Sequence, residues 1–407
     1  MSPLINFSTF KLLSSSMRFH APREILLEIG ILAKIPEVLR NLGIAVGDNV
    51  LVVIDPVVMN QEYFKSAERS MREAGYEIEL YTDIEYEPSV DCARRLATHA
   101  RKTSPKAVVG IGGGSTLDLA KVAAISVDNP SKDVEEFIGF DKVPRRITPL
   151  ILSPSTSGTG SEATRHIVLT KGSAKTGIAS RCLLPDVALI DPVLTYTMPP
   201  RLTAGAGLDA LSHAVEAMIS ADSNPITDLL ALQAIHLVFG YLRRAYLNGR
   251  DVEARYFMSL AATAAGMSFS SAKVLLGHNI SQTFGPRYKV HHGIACGMAL
   301  PYIMEFYLPA TPEKFAAMAD AIGVGAGARG IYEKAEGAIM EVWRLLEGLE
   351  IPLSLKEIGV SKSDLDELAE RSVKDWPRPN SPVELTKDRV LKVYESMYDG
   401  RLKMGAK

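Results

Sequence analysis

Residues Ala107–Lys121 read AVVGIGGGSTLDLAK: an apolar run passes through consecutive glycines into a helical pattern. A short run with almost no polar interruption, AVVGI, suits a parallel strand buried on both faces. Gly112, Gly113 and Gly114 lack Cβ atoms, so a ligand can approach the backbone closely. Ser115 reads as an N-cap, and the helix after it would aim its free N–H groups and positive dipole end at the loop. That builds an anion site suited to a pyrophosphate, with a plain tight turn as the other reading. The spacing is neither GxGxxG at the first strand nor GxxxxGK[ST].

The same alternation continues on both sides. Residues 18–43 open with a strand-like piece and an amphipathic helix around Ile31–Leu42. Val50–Ile54 (VLVVI) is a second all-apolar strand, ended by Asp55. A helix over Gln61–Glu73, a strand over Glu77–Tyr81 and a helix over Val90–Lys102 lead to the glycine loop. Thr148–Leu152 delivers the hydroxyl-rich loop SPSTSGTGSEAT, Ser153–Thr164, a candidate second wall for a dinucleotide or a plain polar loop. Lys175 precedes a short strand-like stretch, and Pro185–Asp191 (PDVALID) is the last strand of this half. The pattern predicts an open α/β sheet with helices on both faces. Asp55 at a strand end could accept from the ribose 2′-OH of NAD and repel the 2′-phosphate of NADP, or it could simply cap a helix.

After Met198-Pro199-Pro200 helical periodicity takes over, with helices expected over Leu202–Ser220, Ile226–Leu247, Val252–Phe269, Gly277–Phe284, Ile294–Tyr307, Pro312–Ala321 and Ala328–Leu346. Within the first, GAGLDALSHAVE (Gly205–Glu216) sets Asp209 and His213 four residues apart on one face. Further on, GHNISQTFGPRYKVHHGIACG adds His278 and His292. Three imidazoles and a carboxylate suit Fe, Zn or Co and are too nitrogen-rich for Mg or Ca. An isolated Asp/His pair is usually a helix-surface contact; the second His-rich run turns the reading toward a metal. Cys296, close to His292, could line the site, though a small buried residue is the plainer reading.

Bulk numbers bound the rest. At 407 residues the chain exceeds the usual size of one core, so two domains are expected. A formal charge of −2 offers no field for nucleic acid and no polybasic membrane patch. The cysteines, Cys92, Cys182 and Cys296, lie far apart with no CxxC, which points to a reducing, cytoplasmic setting and argues against a cysteine-ligated zinc. No uninterrupted apolar run reaches the roughly 18–20 residues of a membrane span. Residues 1–17 read as a leader, disordered or ending at a start on Met17, without signal-peptide character.

GGGSTLDLAK, SPSTSGTGSEAT, PDVALIDPVLTYTMPP, AGLDALSHAVE and GHNISQTFGPRYKVHHG stand here in the order and spacing of the iron-dependent (group III) alcohol dehydrogenases, which the chain resembles from Phe19 to its C-terminus. The resemblance implies an α/β NAD-binding domain over 18–200 and an all-α metal-binding domain over 201–407, the dehydroquinate synthase-like architecture. It implies Asp209, His213, His278 and His292 as ligands of Fe2+, with Zn2+ as the substitute. It implies Gly113, Gly114, Ser115 and Asp118 at the diphosphate, Ser155, Thr156 and Lys175 as further cofactor contacts, and NAD over NADP through Asp55. The implied reaction is hydride transfer between a small alcohol, or its aldehyde or ketone, and the nicotinamide, in a homo-oligomer. Many members carry a second histidine four residues after the third ligand; here that position is Gln282, which cannot relay protons. The architecture is shared by zinc-dependent glycerol dehydrogenases and by dehydroquinate synthases, whose phosphorylated substrate would call for convergence of bases such as Lys273, Arg287 and Lys289.

Overall fold

The computed structural model describes residues 17–172 and 174–404, so the expected leader lies, apart from Met17, outside the described residues. The chain divides into two compact units, His20–Met198 and one that includes the chain from Pro199 onward.

In the first unit six strands form one sheet: β1 (Glu24–Leu27), β2 (Asn49–Ile54), β3 (Glu77–Tyr81), β4 (Ala107–Gly112), β6 (Leu150–Pro154) and β9 (Val187–Ile190). Their order is β1-β9-β6-β4-β2-β3, with every pairing parallel. The apolar runs follow from this burial. In β2, Leu51 and Val53 join one core, with Leu96 and Ala97 of the helix Val90–Thr103 and Leu117 and Ala120 of the helix Gly114–Asp128. Val50, Val52 and Ile54 join the opposite core, with Phe64 and Met71 of the helix Glu62–Glu73. Both faces are therefore covered by apolar side chains, which removes the polar alternation of a half-exposed strand.

From β2 the chain winds outward to β3, then crosses back to β4 and on to β6 in the other direction. The order reverses between β2 and β4, and such a switch point opens a crevice beyond the carboxyl ends of the strands. Asp55, Gly113 and Ser155 stand at those ends, tied by Asp55 N–H to Ile111 O at 3.0 Å and Ser155 N–H to Gly112 O at 2.9 Å.

A small second sheet was not expected. It joins β5 (Gly139–Phe140), β8 (Ala174–Ala179) and β7 (His166–Lys171), the last two antiparallel. Lys175 therefore lies within a strand rather than before one. The expected helix around Ile31–Leu42 divides into a 3-10 turn, Ile31–Lys34, and a helix, Ile35–Asn41, with Pro36 in the helix's first turn.

The second unit is helical. Pro200–Ile219 is buried over nearly its whole surface from Thr203 onward. It packs with Pro225–Leu247, Val252–Ala272, Leu276–Arg287 and His292–Tyr307 in one hydrophobic core. By length and composition Pro225–Leu247 is apolar enough to cross a membrane, with a mean hydropathy of 1.4, although Asp228 interrupts the run in sequence. Its Ala231, Ala234, Ile235 and Val238 face the helical core.

Candidate functional site

Three helices supply the metal candidates. Asp209 and His213 project from one face of Pro200–Ile219, His278 from Leu276–Arg287, and His292 from the first residue of its own helix, His292–Tyr307. Two glycines let them meet. A Cβ on Gly293 would lie 2.0 Å from the carbonyl oxygen of Gly205 and 3.2 Å from Asp209 Cβ, so only glycine allows the His292 helix to cross so close. A Cβ on Gly277 would lie 2.6 Å from Glu216 Oε1, the carboxylate behind His278.

Asp209 Oδ1 is the hub. It lies 3.8 Å from His213 Nδ1, 3.9 Å from His278 Nε2 and 3.6 Å from His292 Nε2. These are too long for hydrogen bonds. Asp209 Oδ1 and His213 Nδ1 are both buried and make no hydrogen bond. An unsatisfied buried polar atom costs about 1–3 kcal/mol, more when charged. A tetrahedral cation about 2.0–2.1 Å from each donor would hold them about 3.4 Å apart, slightly closer than they stand here. The residues therefore fit a divalent metal. Burial alone would raise the Asp209 carboxyl; the imidazoles of His213, His292, His278 and His291 outweigh it and hold it below the ordinary range. The His213 ring stacks on Phe269, centroids 4.1 Å apart, and on His278 at 4.5 Å.

Two participants were not assigned from sequence. Glu216 Oε1 takes a 2.7 Å hydrogen bond from His278 Nδ1, leaving Nε2 to face Asp209, and its Oε2 accepts from Leu275 N–H at 2.5 Å. A carboxylate behind a ligating histidine fixes its tautomer and orientation. Burial pushes the Glu216 carboxyl up to about 7, against the Leu275 N–H and the Arg378 guanidinium. Glu216 is seven positions after Asp209 on the same helical face, so its place was legible in the periodicity. Cys296 is the other: with Asp209, His278 and His292, and without His213, it forms a set of donors all within 4.8 Å of one another. Gln282 Oε1 is buried without a hydrogen bond, and His291 is exposed at the N-cap of the His292 helix.

At the glycine loop the picture differs. Gly113 is the N-cap and Gly114 the first residue of the helix, so Ser115 lies inside the first turn and does not cap it. Its Oγ instead accepts from Glu87 N–H at 3.1 Å, and Glu87 Oε1 pairs with Lys175 Nζ at 2.9 Å. Lys175 is thereby held beside the loop. The Thr156 side chain reaches to 3.6 Å of where a Gly113 Cβ would stand, and Ser155 is buried next to it. Asp118 faces inward. Its oxygens accept from Ser161 Oγ at 2.7 Å, Val168 N–H at 2.8 Å and Lys121 Nζ at 3.3 Å, which anchors the Ser153–Thr164 loop. Asp55 caps the short helix Pro56–Met59 by accepting from Val57 N–H at 2.8 Å.

Comparison with known proteins bears on both regions. The family description "Iron-containing alcohol dehydrogenase" matches residues 22–192, and "Fe-containing alcohol dehydrogenase family, C-terminal" matches residues 203–398. The chain is 33% identical to long-chain-alcohol dehydrogenase 1 of Geobacillus thermodenitrificans (strain NG80-2), covering 90% of this chain and 93% of that protein. It is 34% identical to the NADPH-dependent butanol dehydrogenase of Clostridium saccharobutylicum, covering 94% and 98% respectively. A crystal structure of 1,3-propanediol oxidoreductase superposes with a TM-score of 0.89 at 31% identity, over 94% of this chain and all of that one.

Proposed function

This chain belongs to the iron-containing alcohol dehydrogenase family, and from that premise we propose how its own residues serve the reaction. The protein is an oxidoreductase that transfers hydride between a small alcohol, or its aldehyde or ketone, and a nicotinamide cofactor, with a metal. The polyol and synthase alternatives are not favoured by these relatives. Lys273 and Arg287, two of the bases a phosphorylated substrate would need, are paired with Asp222 and Glu367.

In our reading Asp209, His213, His278 and His292 hold Fe2+, with Zn2+ as the substitute, and the helical unit is the metal domain. When bound, the ion would supply Lewis-acid chemistry, acidifying an alcohol hydroxyl or polarising a carbonyl. Glu216 keeps the proton of His278 on Nδ1, so that Nε2 remains a donor. Gln282 can orient a substrate oxygen by hydrogen bonding but carries no proton away, so a released proton would need another route, such as water. The first unit is the dinucleotide domain. The free N–H groups opening the helix at Gly114 would receive the pyrophosphate, Ser155, Thr156 and Lys175 would line it, and Asp55 would accept from the ribose and favour NAD. Asp118 acts one step back, by fixing the loop that carries Ser161. The protein works in the cytoplasm, as its scattered free cysteines suggest, and copies associate through the first unit as the family resemblance implies.

One observation carries the reading: Asp209 Oδ1 is buried, makes no hydrogen bond and has three imidazole nitrogens 3.6–3.9 Å away. Anaerobically purified protein should contain roughly one metal per chain. It should reduce NAD with ethanol, 1,2-propanediol or butanol in proportion to the iron restored. Failure to take up iron or zinc would overturn the ligand assignment.

A further inference from the structure

One reactive side chain stands among these ligands without a part in that scheme, the thiol of Cys296. It is nearly fully buried at 1% exposure, whereas the His292 side chain is 27% exposed. His292 and Cys296 are four residues apart on the helix His292–Tyr307, the same spacing that pairs Asp209 with His213. Cys296 Sγ lies 3.6 Å from His292 Nε2. An ion about 2.3 Å from a sulfur and about 2.0–2.1 Å from an imidazole nitrogen would set the two roughly 3.1–3.8 Å apart for angles of about 90–120°, as in a five-coordinate centre. The thiol proton is directed away from the imidazole, to Ser281 Oγ at 3.2 Å. Asp209 Oδ1, buried and without a hydrogen bond, marks independently that this space is built around a cation.

We propose that Cys296 Sγ is a further donor to the metal, giving this centre a soft ligand beside its nitrogen and oxygen set; the proposal rests on the metal centre put forward above. On ligation the S–H bond breaks, its proton passes to solvent and a sulfur–metal bond forms, with no change of oxidation state. The Ser281 hydroxyl, which now donates to His278 O at 2.9 Å, can turn to donate to the thiolate. A sulfur donor tilts selectivity toward zinc and cobalt relative to a site of imidazole and carboxylate alone.

The test is spectroscopic. Full-length protein stripped of metal and loaded with one equivalent of Co2+ should show d–d absorption together with a thiolate-to-cobalt charge-transfer band in the near ultraviolet. C296S and C296A should keep the d–d bands and lose the charge-transfer band. Their Kd for Zn2+ should rise by at least about tenfold, the lower end of what losing a partner behind a ligand costs. Wild-type protein with d–d bands but no charge transfer overturns the proposal and leaves the centre of imidazoles and carboxylate standing. A charge-transfer band that persists in both variants overturns it as well. Wild-type protein that binds no cobalt overturns both the thiol assignment and the metal centre. The wild-type spectrum decides whether or not the variants fold.

Discussion

In the helical unit Asp209 Oδ1 and His213 Nδ1 are buried with no hydrogen bond, whereas beside the glycine loop the carboxylates are already engaged. There Asp118 accepts from Ser161, Val168 and Lys121, and Asp55 accepts from Val57 N–H. The contrast follows from the charge of what each region would hold. A cation is gathered by acceptor atoms, which stay uncompensated until it arrives and so stand out. A diphosphate is gathered by backbone N–H groups at a helix start, and those face solvent at little cost when empty. The carboxylates near such a loop must be neutralised or turned inward, or they would repel the ligand. Removing a metal donor therefore removes a function outright, while changes at the loop are graded.

The sharpest test of that difference is His278→Ala. It should abolish stoichiometric metal binding and lower turnover by more than the roughly 100-fold seen for the worst losses behind a ligand. The deletion also strips buried Glu216 Oε1 of its 2.7 Å hydrogen bond from His278 Nδ1, so some loss of stability is expected with the fold retained. Circular dichroism and metal analysis of one preparation check both halves. Turnover retained without metal would erase the distinction between the two regions.

How far each region was legible in the sequence tracks the same physics. Asp209 and His213, two of the proposed metal ligands, sit at a helical spacing, and strands such as Val50–Ile54 are apolar throughout because both sheet faces are covered. Both signals are local. Glu216 shared the face of Asp209 and could have been read. Cys296 shared the face of His292, yet a small buried residue there has an ordinary explanation. Asp118 was not legible, since its partners Ser161 and Val168 lie 43 and 50 residues away. Ser115 was misread because hydroxyl residues commonly cap helices, while here the extended Gly113 occupies the cap two positions earlier. A strand-like stretch after Lys175 was legible but its antiparallel pairing with β7 was not, because nothing local names a strand's partner; their turn rests on Gly172 at φ 61°.

A middle-sized effect is expected at Glu216, which lies behind a ligand. Glu216→Gln keeps one oxygen, enough for either Leu275 N–H or His278 Nδ1, sets an NH2 group against the other, and removes the charge facing Arg378. Metal affinity should fall roughly 10–100-fold, with the Co2+ d–d bands shifted but present at saturating metal. Unchanged affinity would mean that His278 is oriented by packing against His213 and needs no carboxylate.

The smallest effects belong to Asp55, where one carboxylate has two readings that a pair of variants separates. As a cap it accepts from Val57 N–H, and replacing a capping Asp by Ala costs about 1 kcal/mol while Gly costs only a few tenths. As a ribose acceptor it makes a charged hydrogen bond worth about 1.5–3 kcal/mol, a factor of about 10 to 150 in affinity. Asp55→Ala should therefore melt below Asp55→Gly, since only the cap distinguishes them. Both should weaken NAD relative to NADP to the same extent, since both lack the carboxylate. If the melting order appears and the cofactor preference does not move, Asp55 is a cap alone. Any selectivity for NAD would then have to come from the backbone of the loop, whose geometry neither variant touches.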